Sequence, residues 1–136
     1  MSTQRILVVE DETSVRTAFF RALDRKGYHV ITAGSKREAY NLSQADKPFD
    51  LALIDLRLPD GDGVELMTEL KSVHSHTKFI ILTGFATIEV AVEATRKGAY
   101  HFITKPFNLD EVLNIIDNVL SHKNLEQENN QLRSVL

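Results

Sequence analysis

Residues 49–67 read FDLALIDLRLPDGDGVELM, and the fold turns on how Asp55 is explained. Leu51 to Ile54 form an apolar run of strand length, and Leu58 to Gly63 are rich in turn formers. Val64, Met67, Leu70 and Lys71 then follow helical spacing. A strand, a covering loop and a helix succeed one another, with a carboxylate where the strand ends.

The same unit recurs along the chain. Short runs stand at Ile6–Val9, Tyr28–Thr32, Phe79–Leu82 and Tyr100–Ile103. Three of the five runs are nearly all apolar, as strands covered on both faces of a parallel sheet should be. Between them lie helical patterns. Val15, Phe19, Ala22 and Leu23 share one face of the first, which Gly27 ends. Ser35 has the signature of an N-cap, with Glu38 as its capping-box partner, opening a helix through Ala39 and Leu42. Ile88, Val92 and Thr95 mark a fourth helix closed near Gly98, and Leu109, Val112, Leu113 and Ile116 begin a fifth. Five βα units predict right-handed crossovers and a doubly wound α/β sheet.

The composition agrees with one domain. The chain has 136 residues, 43% of them hydrophobic, and a net charge of −3. It carries no basic surface of the kind that binds nucleic acid directly. The absence of cysteine excludes disulfides, thiolate metal sites and a cysteine nucleophile. No stretch has the length of a membrane span, and the N-terminal apolar run is too short for a signal peptide. A cytoplasmic location is the expectation.

In such a sheet, functional groups gather at the carboxyl ends of the strands. Here those ends carry Glu10 and Asp11, Asp55, Thr83 and, just past the fifth run, Lys105. Close carboxylates repel one another unless something positive sits among them. A hard divalent cation, Mg²⁺, answers that need with oxygen ligands. Glu10, Asp11 and Asp55 are the candidate ligands, with a backbone carbonyl near Arg57 as a fourth. Taken alone, an acidic pair after a strand reads better as a cap for the next helix; Asp55 at the end of a second strand tips the reading to metal. A carboxylate beside a metal can take a phosphoryl group as an acyl phosphate. Lys105 is placed to pair with one phosphoryl oxygen and the Thr83 hydroxyl with another, while Gly84 leaves room for a backbone N–H to approach. Lys105–Pro106 is a candidate cis peptide. Asp60 and Asp62 read as turn residues.

The blocks VVEDE, LIDLRLPDGDG, ILTGFA and GAYHFITKPF resemble the signature blocks of the receiver domain of two-component response regulators. The resemblance spans roughly residues 4 to 122. It implies a flavodoxin-like, five-stranded parallel sheet of order 2-1-3-4-5 with five helices. It implies phosphorelay signalling, in which Asp55 accepts phosphate from a sensor histidine kinase and Mg²⁺ is required. By the same match Asp11 resembles the direct metal ligand and Glu10 the water-mediated one. Thr83 resembles the switch hydroxyl, Lys105 the family lysine and Phe102 the switch aromatic. Two positions depart from the pattern. The first acid of the pair is usually aspartate, and the switch aromatic is often tyrosine. The resemblance implies that the surface of helix 4, strand 5 and helix 5 switches on phosphorylation.

Residues 1–122 are thus read as the receiver domain. The remaining 123–136 extend the fifth helix as a polar linker, in which Leu125, Asn129, Leu132 and Leu136 form a short heptad seam. A homodimer is expected from that seam; a solvated helical tail is the bland alternative. ATIEVAVEATRKGAYHFITKPFNLDEVLNIIDNVL followed by LEQENNQL resembles the nitrogen-regulator subclass, whose receivers join an ATPase that activates sigma-54 RNA polymerase and a DNA-binding domain. Those modules are absent here, so the chain is expected to be a piece of a longer protein. Two other functions compete. A metal-dependent aspartyl-phosphate phosphatase needs a general acid two residues after the nucleophile, where Arg57 stands, so no turnover of a separate substrate is expected. A stand-alone receiver acting by docking is disfavoured by the polar tail.

Overall fold

The computed structural model describes residues 3–45, 47–84 and 87–121. The elements are β1 (Arg5–Val9), α1 (Thr13–Arg25), β2 (His29–Ala33), α2 (Lys36–Ala45) and β3 (Leu51–Asp55). Then come the short β4 (Arg57–Leu58) and β5 (Gly61–Asp62), α3 (Gly63–Val73), β6 (Lys78–Thr83), α4 (Ile88–Arg96) and β7 (His101–Thr104). A last helix, α5, covers 109–121. One five-stranded sheet has the order β2-β1-β3-β6-β7, with every pair parallel. Counting only its own strands, that is 2-1-3-4-5, a doubly wound, flavodoxin-like α/β fold. β4 and β5 form a separate antiparallel pair inside the loop after β3.

The apolar runs are nearly continuous because both faces of the sheet are covered. On one face Leu7, Val9, Ala52, Ile54, Phe79 and Ile81 meet Ala39 of α2, Leu66, Met67 and Leu70 of α3, and Ala94 of α4. On the other, Ile6, Val8, Leu51, Leu53, Ile80 and Leu82 meet Phe19 and Leu23 of α1 and Val112, Ile116 and Leu120 of α5. Successive strand residues alternate between these two cores.

Local chemistry sets the helix ends. Gly27 adopts φ +95°, which closes α1 in the left-handed region open to glycine. Ser35 Oγ accepts Glu38 N–H at 3.1 Å, and Glu38 Oε2 reaches back to Gly34 N–H at 3.1 Å. The capping box therefore closes one residue earlier than the sequence pattern predicts. Asp62 caps α3 by accepting Val64 N–H at 2.6 Å. Asp60 accepts the N–H groups of Lys36 and Arg37 at 2.8 and 2.9 Å. It is thus more than a turn residue: it caps α2 from across the chain.

The apolar positions whose spacing marks α4 in the sequence are not the ones it buries. Ile88 and Val92 do not face the core; they are 84% and 59% exposed. Val90 and Ala94 pack inward instead. α4 carries apolar residues on both sides, so periodicity alone chose the wrong one. Tyr100 precedes β7 and is exposed, its ring lying under Lys78 Nζ at 4.8 Å. The heptad seam of Leu125, Asn129, Leu132 and Leu136 lies outside the described residues.

α5 is pinned to the α1–β2 turn through Asp117. Tyr28 donates its hydroxyl to Asp117 Oδ1, and Lys26 Nζ pairs with Oδ2 at 2.8 Å. Tyr28→Phe removes one hydrogen bond to a half-exposed carboxylate and is expected to cost about 1 kcal/mol, read from urea unfolding.

Candidate functional site

The site grows from the ends of β1 and β3. Alternation along β3 puts Leu51 and Leu53 on the α1–α5 face, so Asp55, its last residue, falls on that face too. Glu10 continues the same alternation beyond Ile6 and Val8, and its N–H still joins the ladder, donating to Ala33 O at 3.0 Å. Asp55 therefore belongs to the strand and is buried, rather than standing in the open mouth of the sheet. Glu10 is buried as well, while Asp11 is exposed. One carboxylate oxygen from each of the three lies within 4.8 Å of the others.

Lys105 enters from the loop after β7. Its backbone N–H donates to Thr83 O at 2.7 Å, and the Lys105–Pro106 peptide is cis. Its Nζ donates to Asp55 Oδ2 at 2.9 Å and lies 3.6 Å from Glu10 Oε1. Burial pulls the ammonium pKa down, but the two carboxylates outweigh it and hold the group above its ordinary value. The other Asp55 oxygen, Oδ1, accepts Arg57 N–H at 3.3 Å. Thr83 is buried at the end of β6. Ile81 faces the α2–α4 core, so Thr83 and the half-buried Phe102, which pairs with Ile81 in register, lie towards that core.

The loop after Asp55 is held at both ends. Leu56 N–H donates to Leu82 O at 2.8 Å, and Gly63 N–H donates to Leu56 O at 2.7 Å. Asp60 ties its middle to α2. Lys36 adds to this, reaching Glu65 and Glu69 of α3 at 3.3 Å each.

Three features escaped the sequence reading. Arg16 Nη1 donates to Glu10 O at 2.8 Å. Asp60 acts on α2 rather than on its own turn. Gly63 lies directly against the Asp55 carbonyl, 2.2 Å from where a Cβ would stand. For Arg16 the available signal was a cation in the first turns of a helix that follows three consecutive acids.

The donor set fits a hard divalent cation. Both Glu10 carboxylate oxygens are buried and make no hydrogen bond among the described residues, the Lys105 ammonium standing just beyond that range at 3.6 Å. Burial first, then the adjoining Asp55, pushes this carboxyl up to about 8. In the unfolded chain the proton leaves near 4.5. Between those values the folded state keeps a proton that the unfolded state has released, so stability falls as pH rises through that window. The loss is on the order of a few kcal/mol. A cation that takes the ionised form offsets it. Urea unfolding at about pH 5 and about pH 9 is expected to show that loss without Mg²⁺ and a much smaller one with it.

Comparison with known proteins decides the family. The family model described as response regulator receiver domain matches residues 6–117. The chain belongs to the receiver domains of response regulators. Regulatory protein AtoC of Escherichia coli (strain K12) is 36% identical over 132 residues, covering 97% of this chain and 28% of AtoC. The receiver therefore spans little more than a quarter of that relative's length. Among solved structures, the beryllofluoride-activated NtrC4 receiver domain dimer is 34% identical with a TM-score of 0.77, covering 88% of this chain and 98% of that one. A response regulator of Burkholderia pseudomallei, solved with a phosphorylated aspartic acid and a calcium ion, is 31% identical with a TM-score of 0.78. That match covers 91% of this chain and 72% of the other. The receiver's likeness thus runs to the nitrogen-regulator group and to two-component regulators generally. No described helix is long and apolar enough to cross a membrane.

Proposed function

We propose that this receiver is the phosphoryl-accepting input of a cytoplasmic response regulator, with Asp55 as acceptor and a sensor histidine kinase as donor. The observation that carries the reading is the Asp55–Lys105 pair beside the buried Glu10, whose carboxylate oxygens make no hydrogen bond among the described residues. The Burkholderia relative, solved with a phosphorylated aspartate and a divalent ion, supports it.

An Asp55 carboxylate oxygen bonds to phosphorus as the donor's P–N bond breaks, and the imidazole leaves with that electron pair. Lys105 transfers its pairing from Asp55 Oδ2 to a phosphoryl oxygen, and the Thr83 hydroxyl donates to another. Gly84 leaves room for a backbone N–H to approach. Glu10, Asp11, Asp55 and the Arg57 carbonyl would hold Mg²⁺, which would supply charge neutralisation on the transferring oxygens. Arg57 stands where a phosphatase would need a general acid, so the acyl phosphate persists as a signal.

The phosphoryl group adds up to about two negative charges at the sheet edge. Thr83 moves toward it, and Phe102 turns inward into the space vacated. That biases the surface of α4, β7 and α5 and controls dimerisation. In the whole protein the same surface governs a sigma-54-activating ATPase and a DNA-binding module. The NtrC4 receiver, a dimer when activated by beryllofluoride, supports the dimer step. Sedimentation velocity with Mg²⁺ tests it: the mass is expected to change when beryllofluoride is added. An unchanged mass with beryllofluoride bound refutes the dimer switch.

A further inference from the structure

We propose that Arg16 is the positioning residue of the acidic pair, and that Gly34 is bare so that Arg16 can seat there. The inference rests on the reading of Glu10 and Asp11 as cation ligands. The β1 ladder ends at Glu10 N–H, after which the chain leaves the sheet with Asp11 and Glu12 exposed. A loop of three consecutive acids repels itself and needs an anchor if two of them are to aim at one ion. Arg16 reaches back from α1. Its Nη1 donates to Glu10 O at 2.8 Å and lies 3.5 Å from Asp11 O, and its Nη2 lies 3.5 Å from Thr13 Oγ1. A planar guanidinium can address neighbouring carbonyls together, which a lysine ammonium does less well.

Gly34, just past β2, forms the seat. A Cβ there would lie 2.9 Å from Arg16 Nη1 and 3.6 Å from its Cζ. The φ of Gly34 lies outside the left-handed region, so what a Cβ there would disturb is the seat of the Arg16 guanidinium, which would have to shift, rather than the backbone. Glu38 Oε2 fixes this position by accepting Gly34 N–H at 3.1 Å. The guanidinium is wedged between the β1–α1 and β2–α2 junctions, so the backbone of the acidic pair is held by a group that need not touch the ion.

Calorimetric titration with Mg²⁺ tests this, on variants matched for folded fraction by circular dichroism. Arg16→Ala is expected to weaken Mg²⁺ binding about 10- to 100-fold, the usual effect of removing a group that orients a ligand. Arg16→Lys recovers part of the loss. Gly34→Ala weakens binding in the same direction, and Arg16→Ala/Gly34→Ala binds no more weakly than Arg16→Ala, because both act through one contact. A helix-stabilising role alone would leave Mg²⁺ affinity unchanged in the folded protein. Wild-type affinity in Arg16→Ala, or losses that multiply in the double variant, would overturn the proposal. If the wild-type chain takes up no Mg²⁺ at all, the metal-site reading itself has failed.

Discussion

Asp55→Asn is expected to take no phosphoryl group from acetyl phosphate, whereas the wild-type chain is expected to gain one. The amide keeps the shape of the side chain at the end of β3 and can still accept a hydrogen bond from Lys105. It lacks the anionic oxygen that attacks phosphorus, so no acyl phosphate forms. The expected effect is complete loss, read by intact mass after incubation with Mg²⁺. The neighbours make the result specific. Glu10 is buried against Asp55, its carboxyl pushed up to about 8 by burial and by that neighbour, and Asp11 is exposed. A phosphoryl adduct retained by the variant would move the acceptor to another carboxylate.

Gly63→Ala is expected to destabilise the fold by roughly 3 kcal/mol and to weaken Mg²⁺ binding as well. An added Cβ would stand 2.2 Å from the Asp55 carbonyl oxygen, 3.0 Å from its carbon and 3.0 Å from Ile54 Cγ2. Two of those three atoms are backbone of Asp55 itself, so relief must displace the end of β3. Gly84→Ala makes the contrast, because the nearest atom to its new Cβ is Lys105 Cβ at 4.0 Å. That variant is expected to unfold within about 0.5 kcal/mol of wild type. Urea midpoints compare the two, and equal midpoints would refute the steric argument.

The sequence made the sheet legible because its strands are buried on both sides. Alternation between two cores leaves nearly unbroken apolar runs, and strand boundaries came within about a residue or two. Glu10, Asp11, Asp55, Thr83 and Lys105 were legible for a related reason: each interrupts or follows such a run where parallel strands end. Where physics is less periodic, legibility failed. α4 has apolar residues on two sides, and only packing shows that Val90 and Ala94 face inward while Ile88 and Val92 do not. Asp60 read as a turn former because its partners, the N–H groups of Lys36 and Arg37, are more than twenty residues away. Gly63 looked like turn punctuation. Its reason is contact with a backbone atom eight residues earlier, which no local pattern records.

A crystal structure of the chain with Mg²⁺ and beryllofluoride puts the central claim to the most direct test. The prediction is an ion coordinated by oxygens of Asp11 and Asp55 with Glu10 beside it, beryllium bonded to an Asp55 oxygen, and Lys105 turned to a fluorine. An ion bound away from those acids, or beryllium on any other side chain, would contradict it.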